Sequence, residues 1–185
     1  MFSGKSTELL RQLVIDSEIG LKVLYVNHCW DDRTVNAFST HNPLYKSSVP
    51  SSNLTLKKVN KLAEIREDVK GYDVIGIDEG QFFEDLLEII PEMVDGERKK
   101  VIVAGLDSDY KRQQFGQIIN LIPLADSVVK LLPYCKLCVN QQPRKLIKAP
   151  FTYRHVDQDE VIAVGGADKY MPLCRDCYLE LSQAD

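Results

Sequence analysis

The chain has 185 residues, 44% hydrophobic and 27% charged, with a net charge of −4. That length supports one buried core without disulfide staples, and the negative balance gives no general attraction for nucleic acid or an anionic membrane. No apolar run reaches the length of a membrane span, and no basic-then-apolar signal segment opens the chain.

In chain order, the first pattern is Ser3-Gly4-Lys5-Ser6-Thr7. Leu9, Leu10, Leu13 and Val14 then recur at helical spacing, which predicts a helix up to Gly20. Lys22 to His28 is apolar enough for a buried strand. The polar stretch from Asp31 to Thr55, with Pro43 and Pro50, reads as a long loop. Asn60 to Val69 has helical character. Tyr72 to Asp78 is a short buried strand that ends on an acid. Phe83 to Met93 is a helix that Pro91 should distort. Lys100 to Leu106 is another buried strand, and Ser127 to Leu132 a weaker one. Apolar strands alternating with helices predict an α/β fold with a parallel sheet. From Tyr134 the character changes to Cys pairs, Pro, Lys and Arg. The expected division is an α/β body over residues 1–133 and a small metal-binding lobe over 134–185.

Gly4-Lys5-Ser6 is the second half of a P-loop, in which backbone N–H groups cradle phosphates, the Lys reaches the outer phosphates and the hydroxyl serves Mg²⁺. The first Gly of a complete motif would precede residue 1, as would the strand that carries it. The alternative is a plain helix start with Ser3 as N-cap. Asp78, at the end of a strand, stands where such a fold holds Mg²⁺, although a turn residue also fits there. The adjacent Glu79 could accept a proton from a substrate hydroxyl as its oxygen attacks a phosphate. Phe82 and Phe83 could pack on a flat ring or fill the core.

Cys135-x-x-Cys138 and Cys174-x-x-Cys177 form paired turns that complete a tetrahedron of thiolates. Four cysteines close the coordination shell, so a structural Zn²⁺ is expected. Without a secretion signal, the compartment reads as reducing, the cytosol, and disulfides are the lesser alternative. Cys29 has no partner in the sequence and reads as a small buried hydrophobe. Arg144, Lys145, Lys148 and Arg154, between the pairs, suit either a nucleic-acid contact or a solvated loop. The negative whole chain favours the solvated loop.

Taken together, these segments resemble the type II, zinc-containing thymidine kinases. The likeness is carried by Met1 to Leu9, Asp32-Arg33, Ser39-Thr40-His41, Ile77 to Phe83 and Leu106-Asp107. Tyr110, Phe115-Gly116, Val164 to Tyr170 and the four cysteines continue it in family order. The resemblance implies a P-loop NTPase-like sheet with a C-terminal zinc lobe and a substrate-covering lasso loop. It implies ATP phosphates on Ser3, Gly4, Lys5, Ser6 and Thr7, and Mg²⁺ on Ser6 and Asp78. Glu79 would be the base for the thymidine 5′-hydroxyl, with Arg33 near the transferred phosphate. Met1, Phe82, Leu106, Tyr110, Phe115, Thr152, Ala163, Val164, Gly165 and Tyr170 would surround the nucleoside. A cytoplasmic homotetramer, inhibited by thymidine triphosphate and with deoxyuridine as a second substrate, is implied too. The chain departs from the family pattern at the missing first strand, in the long Cys138–Phe151 segment and at Tyr110, where Phe is commoner. Two rivals are a P-loop and zinc-ribbon protein that binds nucleic acid, and a catalytically impaired homologue.

Overall fold

The structure, a computed structural model, describes residues 2–31, 53–155 and 169–183. The chain divides into two compact units: residues 5–107 with 115–128, and residues 1–4 with 108–114 and 129–185.

The first unit is built on a four-stranded parallel sheet. Its strands are β1 (Val23–His28), β2 (Leu54–Val59), β3 (Val74–Ile77) and β4 (Lys100–Val103), in the order β2-β1-β3-β4. Strands covered on both faces are largely apolar; every residue of β1 and β3 is buried, and the polar Asn27 and His28 come at the end of β1. The two-residue period of a strand separates the faces. Val23, Tyr25 and Val74 pack with Leu9, Leu10 and Leu13 of helix α1 (Lys5–Glu18). Leu24, Val26, Ile75 and Ile77 pack with Leu62, Ile65, Phe83, Leu86 and Ile89. Each such side chain contributes roughly 1.5–3 kcal/mol when fully buried. Helix α1 seats closely because β3 carries Gly76, where a Cβ would lie 2.3 Å from Leu13 Cδ1.

Several expectations change. The long loop ends earlier than Thr55, because β2 begins at Leu54. Asn60 to Val69 holds two short 3-10 turns, Leu62–Ile65 and Asp68–Gly71, rather than a helix. Asp85 accepts the Leu62 and Ala63 N–H groups, and Glu64, within the segment, accepts those of Asn60 and Lys61, so the first of these turns is capped at its start. Helix α2 spans only Leu86–Pro91 and passes into a π turn, Glu92–Gly96. The expected distortion lies at Pro91, which has no N–H to donate. No strand forms over Ser127 to Leu132. Among the described residues no strand pairs with it, and Val128 and Val129 are exposed.

The second unit holds helix α3 (Lys136–Asn140), the antiparallel pair β5 (Phe151–Arg154) and β6 (Tyr170–Leu173), and helix α4 (Arg175–Ser182). Its core gathers the four cysteines with Ala149, Leu173 and Tyr178. The 108–114 loop is closed by an antiparallel bridge between Ser108 and Gln114. Asp109 Oδ1 accepts the Lys111 and Gln113 N–H groups, both at 2.8 Å. Tyr178 fastens this loop by donating its hydroxyl to the Tyr110 carbonyl at 2.8 Å.

Candidate active site

Helix α1 begins at Lys5, directly after Gly4, whose φ of +82° is a left-handed conformation that suits glycine. Ser6, on the first turn, makes a side-chain hydrogen bond to Asp78. The P-loop hydroxyl and the strand-end acid are therefore brought together.

Asp78 is fully buried. Its Oδ2 accepts the Tyr25 hydroxyl at 2.9 Å, and its Oδ1 accepts the Glu79 N–H at 2.9 Å. Tyr25 lies on the neighbouring strand β1, opposite Gly76. The sequence reading assigned it no role, since a Tyr in an apolar strand gives no sign of its partner. Burial, and then the charge of Glu79, push the Asp78 carboxyl up to about 6 against the bonds from Ser6, Tyr25 and the Glu79 N–H. The Asp78 carboxylate and the Ser6 hydroxyl form an all-oxygen donor pair, which suits a hard cation such as Mg²⁺.

Glu79 takes φ +52°, an uncommon left-handed conformation for a residue with a side chain. It is 8% exposed, and its Oε2 accepts a bond from Gln81 Nε2 at 2.7 Å. The 3-10 turn Gly80–Phe82 follows. It presents Phe82 edge-on to Phe115, with centroids 5.7 Å apart, and to Trp30 at 5.8 Å. Leu106, half-buried, donates its N–H to Gln81 Oε1. Glu79, Phe82, Leu106 and Phe115 thus belong to one unit. Phe83, by contrast, is a core residue.

In the other unit, Arg154 stacks on the Tyr110 ring at 4.2 Å. Thr152 and Tyr170 lie on the paired strands β5 and β6. Met1, Asp32, Arg33, Ser39, Thr40, His41, Ala163, Val164, Gly165 and the rest of the expected lasso up to Asp168 lie outside the described residues. Arg154 and Lys148, from the basic stretch, are engaged on tyrosine rings.

The Sγ atoms of Cys135, Cys138, Cys174 and Cys177 all lie within 4.8 Å of one another. Cys138 is 3.8 Å from Cys174 and 3.6 Å from Cys177. A tetrahedron with Zn–S bonds of about 2.3 Å has edges of ~3.8 Å, whereas a disulfide is ~2.0 Å long. The cysteines therefore fit a closed Zn²⁺ site. Burial pushes the Cys138 and Cys177 thiols up. Burial also opposes ionisation of Cys135, but backbone hydrogen bonds from Cys174 and Cys138 bring it down to about 7. A cation would let all four ionise together. Cys29 is exposed rather than buried: it follows the end of β1, held by its N–H on the Val59 carbonyl.

The thymidine kinase family model matches residues 1–178. The cytosolic thymidine kinase of Cricetulus griseus is 40% identical over 182 residues, which cover 98% of this chain and 71% of that protein. The cytosolic thymidine kinase of Homo sapiens is 39% identical, covering 97% and 70%. The thymidine kinase of Vaccinia virus (strain Western Reserve) is 37% identical, covering 97% and 93%.

Proposed function

The chain belongs to the thymidine kinase family, and from that premise we propose how its residues act. The enzyme phosphorylates the 5′-hydroxyl of thymidine, with ATP as donor. The observation that carries the assignment of roles is the pair of buried acids Asp78 and Glu79 after β3, with Ser6 from the first turn of α1 hydrogen-bonded to Asp78.

Lys5 and the N–H groups that open α1 receive the outer phosphates of ATP, with Ser3, Gly4 and Thr7 beside them. Ser6 and Asp78 would hold Mg²⁺, which would supply charge neutralisation on the phosphate oxygens. The Tyr25 hydroxyl keeps the Asp78 carboxylate oriented. Glu79 accepts the 5′-hydroxyl proton as that oxygen bonds to the γ-phosphorus. The bond from phosphorus to the β–γ bridging oxygen breaks, and its electron pair leaves with ADP. The proton on Glu79 then passes to solvent. Phe82, Leu106 and Phe115 provide flat apolar surface for thymine, and deoxyuridine, which lacks only the 5-methyl group, is accepted too.

The roles of Arg33 at the transferred phosphate and of Met1, Tyr110, Thr152, Ala163, Val164, Gly165 and Tyr170 at the nucleoside rest on the family likeness. So do the homotetramer, feedback inhibition by thymidine triphosphate and a cytoplasmic location. Four cysteines at tetrahedral spacing support a structural Zn²⁺.

Glu79→Gln tests the central step. The amide keeps the shape and loses the basic oxygen, so kcat should fall by roughly 10²–10⁴ while thymidine KM changes little. Near-normal turnover would assign the proton to another group.

A further inference from the structure

Gln81 is 4% exposed and makes one bond from each end of its amide. Its Oε1 accepts the Leu106 N–H at 2.9 Å, and its Nε2 donates to Glu79 Oε2 at 2.7 Å. A backbone N–H can only donate, so the amide oxygen must face Leu106. The amino end is thereby committed to Glu79. Neighbouring glycines leave room for this amide and its backbone. A Cβ at Gly105 would lie 2.7 Å from Gln81 Oε1, and one at Gly116 would lie 2.2 Å from the Gln81 carbonyl oxygen.

We propose that Gln81 is a positioning residue, which fixes the Glu79 carboxylate relative to the Leu106 backbone so that base and nucleoside meet in register. The proposal rests on Glu79 as the base. A proton acceptor must lie within hydrogen-bond reach and point correctly, and a misplacement of about 1 Å can cost ~10²-fold. A Glu side chain has three rotatable bonds, and the Gln81 bond restricts where they can place the carboxylate.

Two substitutions separate the ends of the amide. Gln81→Glu keeps an acceptor for Leu106 but replaces the donor that faces Glu79. Gln81→Met keeps the length and removes both bonds without adding a buried charge, so it serves even where Gln81→Glu folds poorly; melting curves establish folding. Gln81→Glu should lower kcat by roughly 10–100-fold with thymidine KM within about threefold. Gln81→Met should lower kcat similarly and also raise KM by about fivefold or more, because Leu106 is released. In a Glu79→Gln background, adding Gln81→Met should change kcat by less than about twofold, since no base remains to be positioned. Wild-type kcat in folded Gln81→Met would overturn the proposal while leaving the base assignment intact. So would a full further loss of kcat in the Glu79→Gln background. Normal turnover by Glu79→Gln alone would overturn the base assignment and this proposal with it.

Discussion

His28 closes β1 among three aromatic rings: Trp30 and Phe83, each 4.9 Å away, and Phe82 at 5.7 Å. Its Nδ1 accepts the Trp30 N–H, which leaves Nε2 to carry the proton toward the Asn60 carbonyl at 3.1 Å. The folded site is therefore arranged for neutral imidazole. Burial lowers the His28 pKa from 6.5, against the Asn60 carbonyl and the charges of Asp85, Glu64 and Glu84. Below pH 6.5 the unfolded chain takes up this proton more readily than the folded one. The stability contribution is complete above that pH and shrinks as pH falls toward the depressed folded value. His28→Gln should accordingly lose less melting temperature than the wild type between pH 7.5 and pH 5.5, by differential scanning fluorimetry. Equal losses would remove His28 as the titrating group. Such pairings were not legible in the sequence. His28 read only as the end of an apolar strand, and Gln81 as part of a motif without a role of its own. A polar residue announces its type, but its partner is set by the fold.

At the level of elements, the contact between α1 and β3 depends on a missing side chain. Gly76→Ala would press its new methyl group into Leu13, which is completely buried. Overpacking of this kind costs roughly 1–3 kcal/mol. Adding Leu13→Ala to Gly76→Ala should cost less than the sum of the single changes, because each offsets part of the other's misfit. Urea unfolding of the four proteins measures this, and strict additivity would contradict the contact. The central strands were legible because burial on both faces gives them apolar runs, Val23 to Val26 and Val74 to Ile77. Strand β2 was not: it contains Lys57 and Lys58, and only Val59 is buried. What makes it a strand is its parallel ladder with β1, about thirty positions away in sequence. Ser127 to Leu132 fails in the opposite way, since its residues favour a strand but have no ladder to join.

For the whole molecule, the metal should stabilise one unit far more than the other. Structural Zn²⁺ contributes on the order of 10–16 kcal/mol to small metal-bound folds. Purified protein should contain one zinc per chain by elemental analysis. Chelation should open residues 108–114, 129–155 and 169–183 to limited proteolysis while strands β1, β3 and β4 stay resistant. Metal-free protein with an unchanged cleavage pattern would overturn this, as would two native disulfides. The chain passes between its two units at residues 4–5, 107–108, 114–115 and 128–129. That interlacing bears on synthesis, because a ribosome delivers the chain from the N-terminus. Most of the parallel sheet can assemble while later residues are still being added. The 108–114 loop emerges early but is held by Tyr178, and its Arg112 stacks on Phe151 and Tyr178. It must wait until Phe151 and Tyr178 have been added, so this part of the molecule matures later in synthesis than the sheet.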